Sequence, residues 1–266
     1  MKRLNRWFSI PYYLWIAFFV VIPLVLVLWQ SLHVNGEWSL ANFRLFFTSP
    51  IYLKMIANSV FYAFVITALS VLISYPAALV LSKMRHKQLW LMLIILPTWI
   101  NLLLKAYAFM GIFSIHGAIN QLLTALGFAP QQLLFTNASF IFVATYVQIP
   151  FMILPIFNAI EAINPAYISA SYDLGATRSQ TFWRVIFPLS MPGLKSGIQS
   201  VFIPSLSLFM LTRLIGGNRV VTLGTAIEQH FLVTQNWSMG SAIGVVLIIA
   251  MIVIMLLTNH KKESEK

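Results

Sequence analysis

Six long apolar runs alternate with short polar segments along this chain. They lie at roughly Pro11–Ser31, Ala57–Ser82, Leu89–Phe113, Ser139–Ile160, Leu194–Thr212 and Ser241–Thr258. Each approaches the roughly 20 residues that a helix needs to cross the hydrocarbon layer. A membrane β-barrel would instead show alternating segments of about ten residues. The pattern therefore predicts an all-α integral membrane protein with about six transmembrane helices in a single domain over residues 1–266. Pro23, Pro76, Pro97, Pro150, Pro155 and Pro204 fall inside the runs. Each removes a backbone donor and bends or breaks its helix, so an irregular bundle is expected.

Composition supports this reading. Of the 266 residues, 59% are hydrophobic and only 9% charged. So few charges cannot cover a water-soluble surface of this size. There is no cysteine, which excludes disulfides and thiolate metal sites. The net charge of +11 does not point to nucleic acid, because there is no soluble domain to carry a basic face. The basic start Met1–Arg6 resembles a signal peptide, but the run from Pro11 to Trp29 is too long for one. It reads as an uncleaved first span.

The cations are distributed unevenly. Lys2, Arg3, Arg6, Lys83, Arg85, Lys87, Arg178, Arg184, Lys195, Lys261, Lys262 and Lys266 fall on one side of the six-span layout. Arg44, Lys54, Arg213 and Arg219 fall on the other, and Lys105 lies within the third run. The positive-inside rule then places both termini in the cytoplasm. At 1.5 Å per residue from Leu89, Lys105 would stand roughly 24 Å along a continuous third span. That position is close to the outer boundary, where an ammonium reaches water.

Most enzyme chemistry is missing. No phosphate-binding G-x-x-x-x-G-K-[ST] loop, G-x-S-x-G elbow or H-E-x-x-H pair occurs. His33, His86, His116, His230 and His260 are scattered. Glu37, Glu161, Asp173, Glu228, Glu263 and Glu265 form no evident dyad. An intramembrane enzyme would need such a set. A stand-alone secondary transporter tends to show internal repeats and midplane ionisable groups, and neither is evident here.

The long segment Glu161–Gly193 carries the remaining signal. Asn164 and Pro165 suit a helix start, Ala166–Leu174 can be helical, and Gly175 suits its end. Thr177 or Ser179 can cap a second helix over Gln180–Ile186, with Phe182, Val185 and Ile186 on one face, before Pro188 and Pro192 stop it. The spacing predicts a short helix–turn–helix. It leaves open whether this element only connects two spans along the membrane surface.

Here the chain resembles a family. Permease subunits of bacterial binding-protein-dependent ABC importers carry a cytoplasmic loop of pattern E-A-A-x-x-x-G-x9-I-x-L-P. This chain has Ser169-Ala170-Ser171, then Gly175, then Val185-x-Phe187-Pro188 at the same spacing. Tyr172-Asp173-Leu174-Gly175-Ala176 looks like the version found in polyamine-type permeases. Leu96-Pro97-Thr98-Trp99, Lys105-Ala106-Tyr107-Ala108-Phe109, Pro150-Phe151-Met152-Ile153-Leu154-Pro155 and Asn236-Trp237-Ser238-Met239-Gly240 extend the likeness over nearly the whole chain.

The resemblance implies a MetI-like permease core with both termini inside, and no catalytic role. It implies one half of a translocation pathway for spermidine and putrescine, with another small solute as the alternative. It also implies partners: a dimer of ATP-binding subunits, a second homologous permease, an external substrate-binding protein and membrane lipid. ATP and Mg would be used by the partner, with no cofactor on this chain. The ATPase-coupling loop would contain Ser169, Ala170, Ser171, Asp173, Leu174, Gly175, Ala176, Val185 and Pro188. One departure stands out: Ser169 and Ser171 replace the usual Glu and second Ala. Ser169 brings no carboxylate, so either Asp173 compensates or the companion permease carries more of the coupling. Trp99, Tyr107, Phe109, Tyr146 and Phe151 could line a route for a polycation through cation–π attraction, or they could simply pack.

Overall fold

The computed structural model describes residues 4–34, 36–217 and 219–259. The terminal cations Lys2, Arg3, Lys261, Lys262 and Lys266, with His260, Glu263 and Glu265, lie outside the described residues. The described chain is almost entirely helical apart from a two-residue hairpin in which His33–Val34 pairs antiparallel with Glu37–Trp38. Five helical stretches are long and apolar enough to cross a membrane: Ile10–Leu32, Pro50–Ser82, Leu102–Ala125, Asn137–Glu161 and Trp237–Leu256.

Four of these match expected runs, Leu102–Ala125 starts inside the third, and the third and fifth runs fold differently from expectation. The third is broken into Lys87–Ile95, a 3₁₀ turn at Leu96–Trp99 and a new helix at Leu102–Phe113. Pro97 has no N–H for the ladder. Asn101 then caps the new helix, its side chain accepting from the Leu103 N–H at 2.8 Å. Lys105 therefore stands in the first turn of a fresh helix, not 24 Å along an old one. The fifth run becomes Phe187–Ser205 followed by Phe209–Leu214. Pro188 and Pro192 do not stop the helix there, contrary to the pattern. The preceding turn, Phe182–Ile186, is a π-bulge, and the Phe187 N–H donates five residues back to the Phe182 carbonyl. The shift of register comes immediately before Pro188, where a normal donor would be missing.

The chain divides into two compact units, Met1–Ile56 with Ala226–Val253, and Ala57–Thr225 with Ile254–Lys266. In the second unit the core is built from Ile66, Phe140, Met152, Ile156, Val201, Leu211 and Ile215, all essentially inaccessible. The helices Asn137–Glu161 and Phe187–Ser205 cross very closely there. A Cβ on Gly193 would come 2.4 Å from the Pro155 carbonyl oxygen, and one on Gly197 would come 2.7 Å from the Met152 sulfur. This glycine pair, four residues apart, lets two backbones approach as small residues do in membrane helix packing. Tyr75 and Ser190 share a buried hydrogen bond of 2.6 Å that joins the second span to the same helix.

In the first unit Phe46, Met239 and Ile243 are buried, and Tyr52 bonds His230 Nε2 at 2.9 Å. Trp29, near the end of the first span, and Trp237, at the start of the last, line one cavity. The first and last spans therefore run in opposite directions.

Candidate functional site

The segment after the fourth span folds into the expected helical hairpin. Lys87 pairs with Glu161 where that span ends. Asn164 caps the first hairpin helix, Pro165–Asp173, accepting from the Ala166 N–H at 2.9 Å. Gly175 ends it with φ +81°. The Gly175 N–H reaches the Tyr172 carbonyl at 2.8 Å and the Ala176 N–H reaches the Ser171 carbonyl at 3.0 Å. This pair of bonds satisfies the last carbonyls of the helix and requires a residue at ease in the left-handed region. Thr177 and Gln180 then cap the second helix reciprocally: Thr177 Oγ1 accepts from the Gln180 N–H, and Gln180 Oε1 accepts from the Thr177 N–H.

The two hairpin helices are tied by Ser171, which the pattern named, and Thr181, which it did not. Ser171 donates to the Ile168 carbonyl at 2.7 Å. Its hydroxyl oxygen also meets Thr181 Oγ1 at 2.9 Å. Because the Ser171 proton is committed to Ile168, Thr181 is the donor in that pair. Thr181 is 1% exposed. A Ser at 171, where the family pattern has Ala, thus has a specific job inside the hairpin. Behind it, Phe182 and Phe187 pack on the Tyr75 ring with centroids 5.9 and 5.7 Å away.

The outer surface of the hairpin carries large apolar side chains among polar ones. Leu174 is 89% exposed, and Tyr167, Tyr172 and Trp183 are also exposed. Ser169, Ala170, Asp173 and Pro188 are exposed with them, while Ala176 and Val185 are half-buried. The residues singled out from the pattern therefore lie along the hairpin, with Pro188 in the first turn of the helix Phe187–Ser205 that follows it.

The five aromatic residues are not gathered in this way. Phe109 and Tyr146 meet edge to face at 5.1 Å, and Phe109 also contacts Phe113 and Phe142. Trp99, Tyr107 and Phe151 are exposed at 76%, 55% and 47% and do not join this cluster. Lys105 lines a cavity of about 250 Å³ with Pro97, Thr98, Tyr146 and Pro150. Tyr146 and Pro150 lie near the middle of the Asn137–Glu161 helix, so Lys105 sits level with mid-span and not at its outer end. Among the described residues, no group of three or more His, Asp or Glu is placed to hold a metal ion.

The comparisons agree with this architecture. The family model described as "Binding-protein-dependent transport system inner membrane component" matches residues 2–260. The chain is 35% identical to the spermidine/putrescine transport system permease protein PotB of Haemophilus influenzae, over 94% of each chain. It is 32% identical to PotB of Escherichia coli, over 94% of this chain and 98% of that protein. The crystal structure of a bacterial alginate ABC transporter, in complex with an alginate pentasaccharide-bound periplasmic protein, contains a chain of the same fold. That chain has a TM-score of 0.81 and 21% identity, with 98% of this chain and 95% of that one covered. With a family match over nearly its whole length and an exposed helical hairpin at the expected spacing, this chain belongs to the binding-protein-dependent transport system inner membrane components.

Proposed function

We propose that this chain forms one half of the translocation pathway of an ATP-driven importer for polyamines, spermidine and putrescine. Identity of 35% over 94% of a spermidine/putrescine permease carries the substrate reading. The hairpin supports the mode of action. Its exposed Tyr167, Tyr172, Leu174 and Trp183 form an apolar surface of the kind that a partner covers. On this reading the hairpin faces the cytoplasm and docks in a cleft of an ATP-binding subunit. ATP and Mg are bound and used by that subunit, of which there are two. A second homologous permease completes the pathway, and an external binding protein delivers the solute. This chain binds no cofactor and performs no catalysis.

Ser169, Ala170, Asp173, Leu174, Gly175 and Ala176 meet the ATPase on this reading, with Ser171, Val185 and Pro188 shaping the hairpin. Asp173, exposed at the end of the first hairpin helix, supplies the carboxylate that Ser169 lacks. The Phe109–Tyr146 pair is the aromatic contact best placed to meet a passing polycation.

Uptake of radiolabelled spermidine into proteoliposomes containing the whole complex tests this. Uptake should require ATP, stop when the partner's ATP site is mutated, and be competed by putrescine. ATP-independent uptake, or competition only by an unrelated solute, contradicts it. A cysteine placed at Thr177 in the naturally cysteine-free chain should be labelled by an impermeant reagent only from the cytoplasmic side.

A further inference from the structure

A second, polar cavity lies in the first unit, far in sequence from the hairpin. Its volume is about 680 Å³, and Trp29, His33, Asn42, Gln235 and Trp237 help line it. No Asp, Glu, Lys or Arg lines it among the described residues. Its wall is built, not incidental. Trp29 and His33 stack at 4.5 Å and 14° between planes, and Trp38 closes on both rings at 4.8 and 4.2 Å. Trp237 is braced edge-on by Phe231 at 5.3 Å. Gln235 holds φ +52°, a conformation that a non-glycine residue seldom adopts.

Among the described residues, two groups at this wall lack a partner for what they offer. Asn42 is 8% exposed, and its Nδ2 is buried without a hydrogen-bond partner. A buried donor left unpaired is unfavourable, so Asn42 calls for an acceptor. His33 Nδ1 lies 3.0 Å from the Trp29 carbonyl. A carbonyl can only accept, so Nδ1 carries the proton and Nε2 presents a lone pair. The cavity thus offers an amide donor, an imidazole acceptor and indole faces at once.

Its depth is set by the spans. Trp29 is near the end of Ile10–Leu32, and Trp237 begins Trp237–Leu256. Both indoles are about half exposed, at 51% and 57%. That is the level of lipid headgroups, where tryptophans concentrate.

We propose that this cavity binds the headgroup of a zwitterionic aminophospholipid. A phosphate oxygen accepts from Asn42, whose buried amide turns toward the cavity it lines to meet it, and the ammonium lies against the Trp29 and Trp237 faces and donates to His33 Nε2. A free polyamine brings cations but no acceptor for Asn42. A headgroup with phosphate and no amine brings negative charge to a wall without a cation, and leaves His33 Nε2 unmatched.

The test uses the purified full chain titrated with lipid and read by native mass spectrometry. Phosphatidylethanolamine should be retained in preference to phosphatidylglycerol. Soluble phosphoethanolamine should displace it, and inorganic phosphate should not. Asn42→Leu should weaken retention roughly three- to tenfold, the range for one lost hydrogen bond. Trp237→Leu is the second variant, should Asn42→Leu fail to fold, and is expected to weaken retention as well. Equal retention of the two lipids, unchanged retention in the folded variants, or displacement by inorganic phosphate as effective as by phosphoethanolamine would each overturn the proposal. Displacement by spermidine without displacement by phosphoethanolamine would also overturn it, and would reassign the cavity to the cationic solute.

Discussion

Ser171 and Thr181 share a hydrogen bond of 2.9 Å across the turn at Gly175, and Thr181 is buried behind it. Ser171→Ala should leave the Thr181 hydroxyl without its partner and lower stability by about 1 kcal/mol. Thr181→Val removes the other side of the pair. The double variant should be less unstable than the sum of the two, because each single variant already breaks the same bond. Thermal unfolding of the four proteins in detergent gives this cycle directly. Strict additivity would show that the contact does not join the helices.

Gly175 can be tested separately from bulk. No heavy atom lies within 4 Å of a Cβ added there, yet φ is +81°. The defect in a variant is therefore conformational and amounts to about 1–2 kcal/mol for an ordinary side chain. Gly175→Val should abolish uptake while leaving membrane insertion intact. Gly175→Asn, whose side chain tolerates the left-handed region, should retain more uptake than Val. Equal loss in both would point to steric exclusion from a partner instead.

Gly193 presents the opposite case. Its φ is ordinary, but an added Cβ would meet the Pro155 carbonyl oxygen and the Ala159 Cβ, both at 2.4 Å. Backbone cannot move aside as a flexible side chain can. Gly193→Ala should destabilise the second unit by about 1–3 kcal/mol, as overpacking does. A lowered melting temperature with unchanged expression is the expected result.

Lys105 lies in a mid-span cavity beside Pro150. A charge at such depth costs roughly 2.5–3.5 kcal/mol on insertion scales whatever its sign. Lys105→Arg should therefore insert and transport like the parent. Lys105→Glu reverses the charge beside Tyr146, and if this cavity borders the proposed route for cations, uptake should fall while insertion is kept. Quantitative membrane fractionation beside uptake separates the two effects.

His230 lies outside the spans and is half-buried, with Nε2 against Tyr52 and Nδ1 3.3 Å from Thr234 Oγ1. Burial holds its pKa below the usual 6.5. The unfolded chain then takes up the proton first as pH falls, so the folded state loses stability from about 6.5 down to the lowered value. The melting temperature should drop between pH 7.5 and 5.5, and the drop should shrink in His230→Gln.

Several features were legible because they depend on neighbours in sequence. Hydrophobic run length marked the first, second, fourth and last spans. Asn164, Gly175 and Thr177 announced the hairpin through capping rules that act within one turn. The family likeness rested on residues in fixed register, and those of the Ser169–Val185 stretch lie along one hairpin.

Where distant segments meet, only the fold could answer. Hydropathy could not tell that Pro97 breaks the third span while Pro188 and Pro192 ride inside a helix. The difference lies in whether a neighbouring turn can shift register, as Phe182–Ile186 does. The depth of Lys105 changed with that break. Gly193 and Gly197 became intelligible only when the helix carrying Pro155 was seen against them. Of the five candidate aromatic residues, tertiary packing joined Phe109 to Tyr146 and left Trp99, Tyr107 and Phe151 apart. Apolar length and capping are local, and each residue's own chemistry determines them. Close packing between helices depends on which backbones approach, and the tertiary fold decided that.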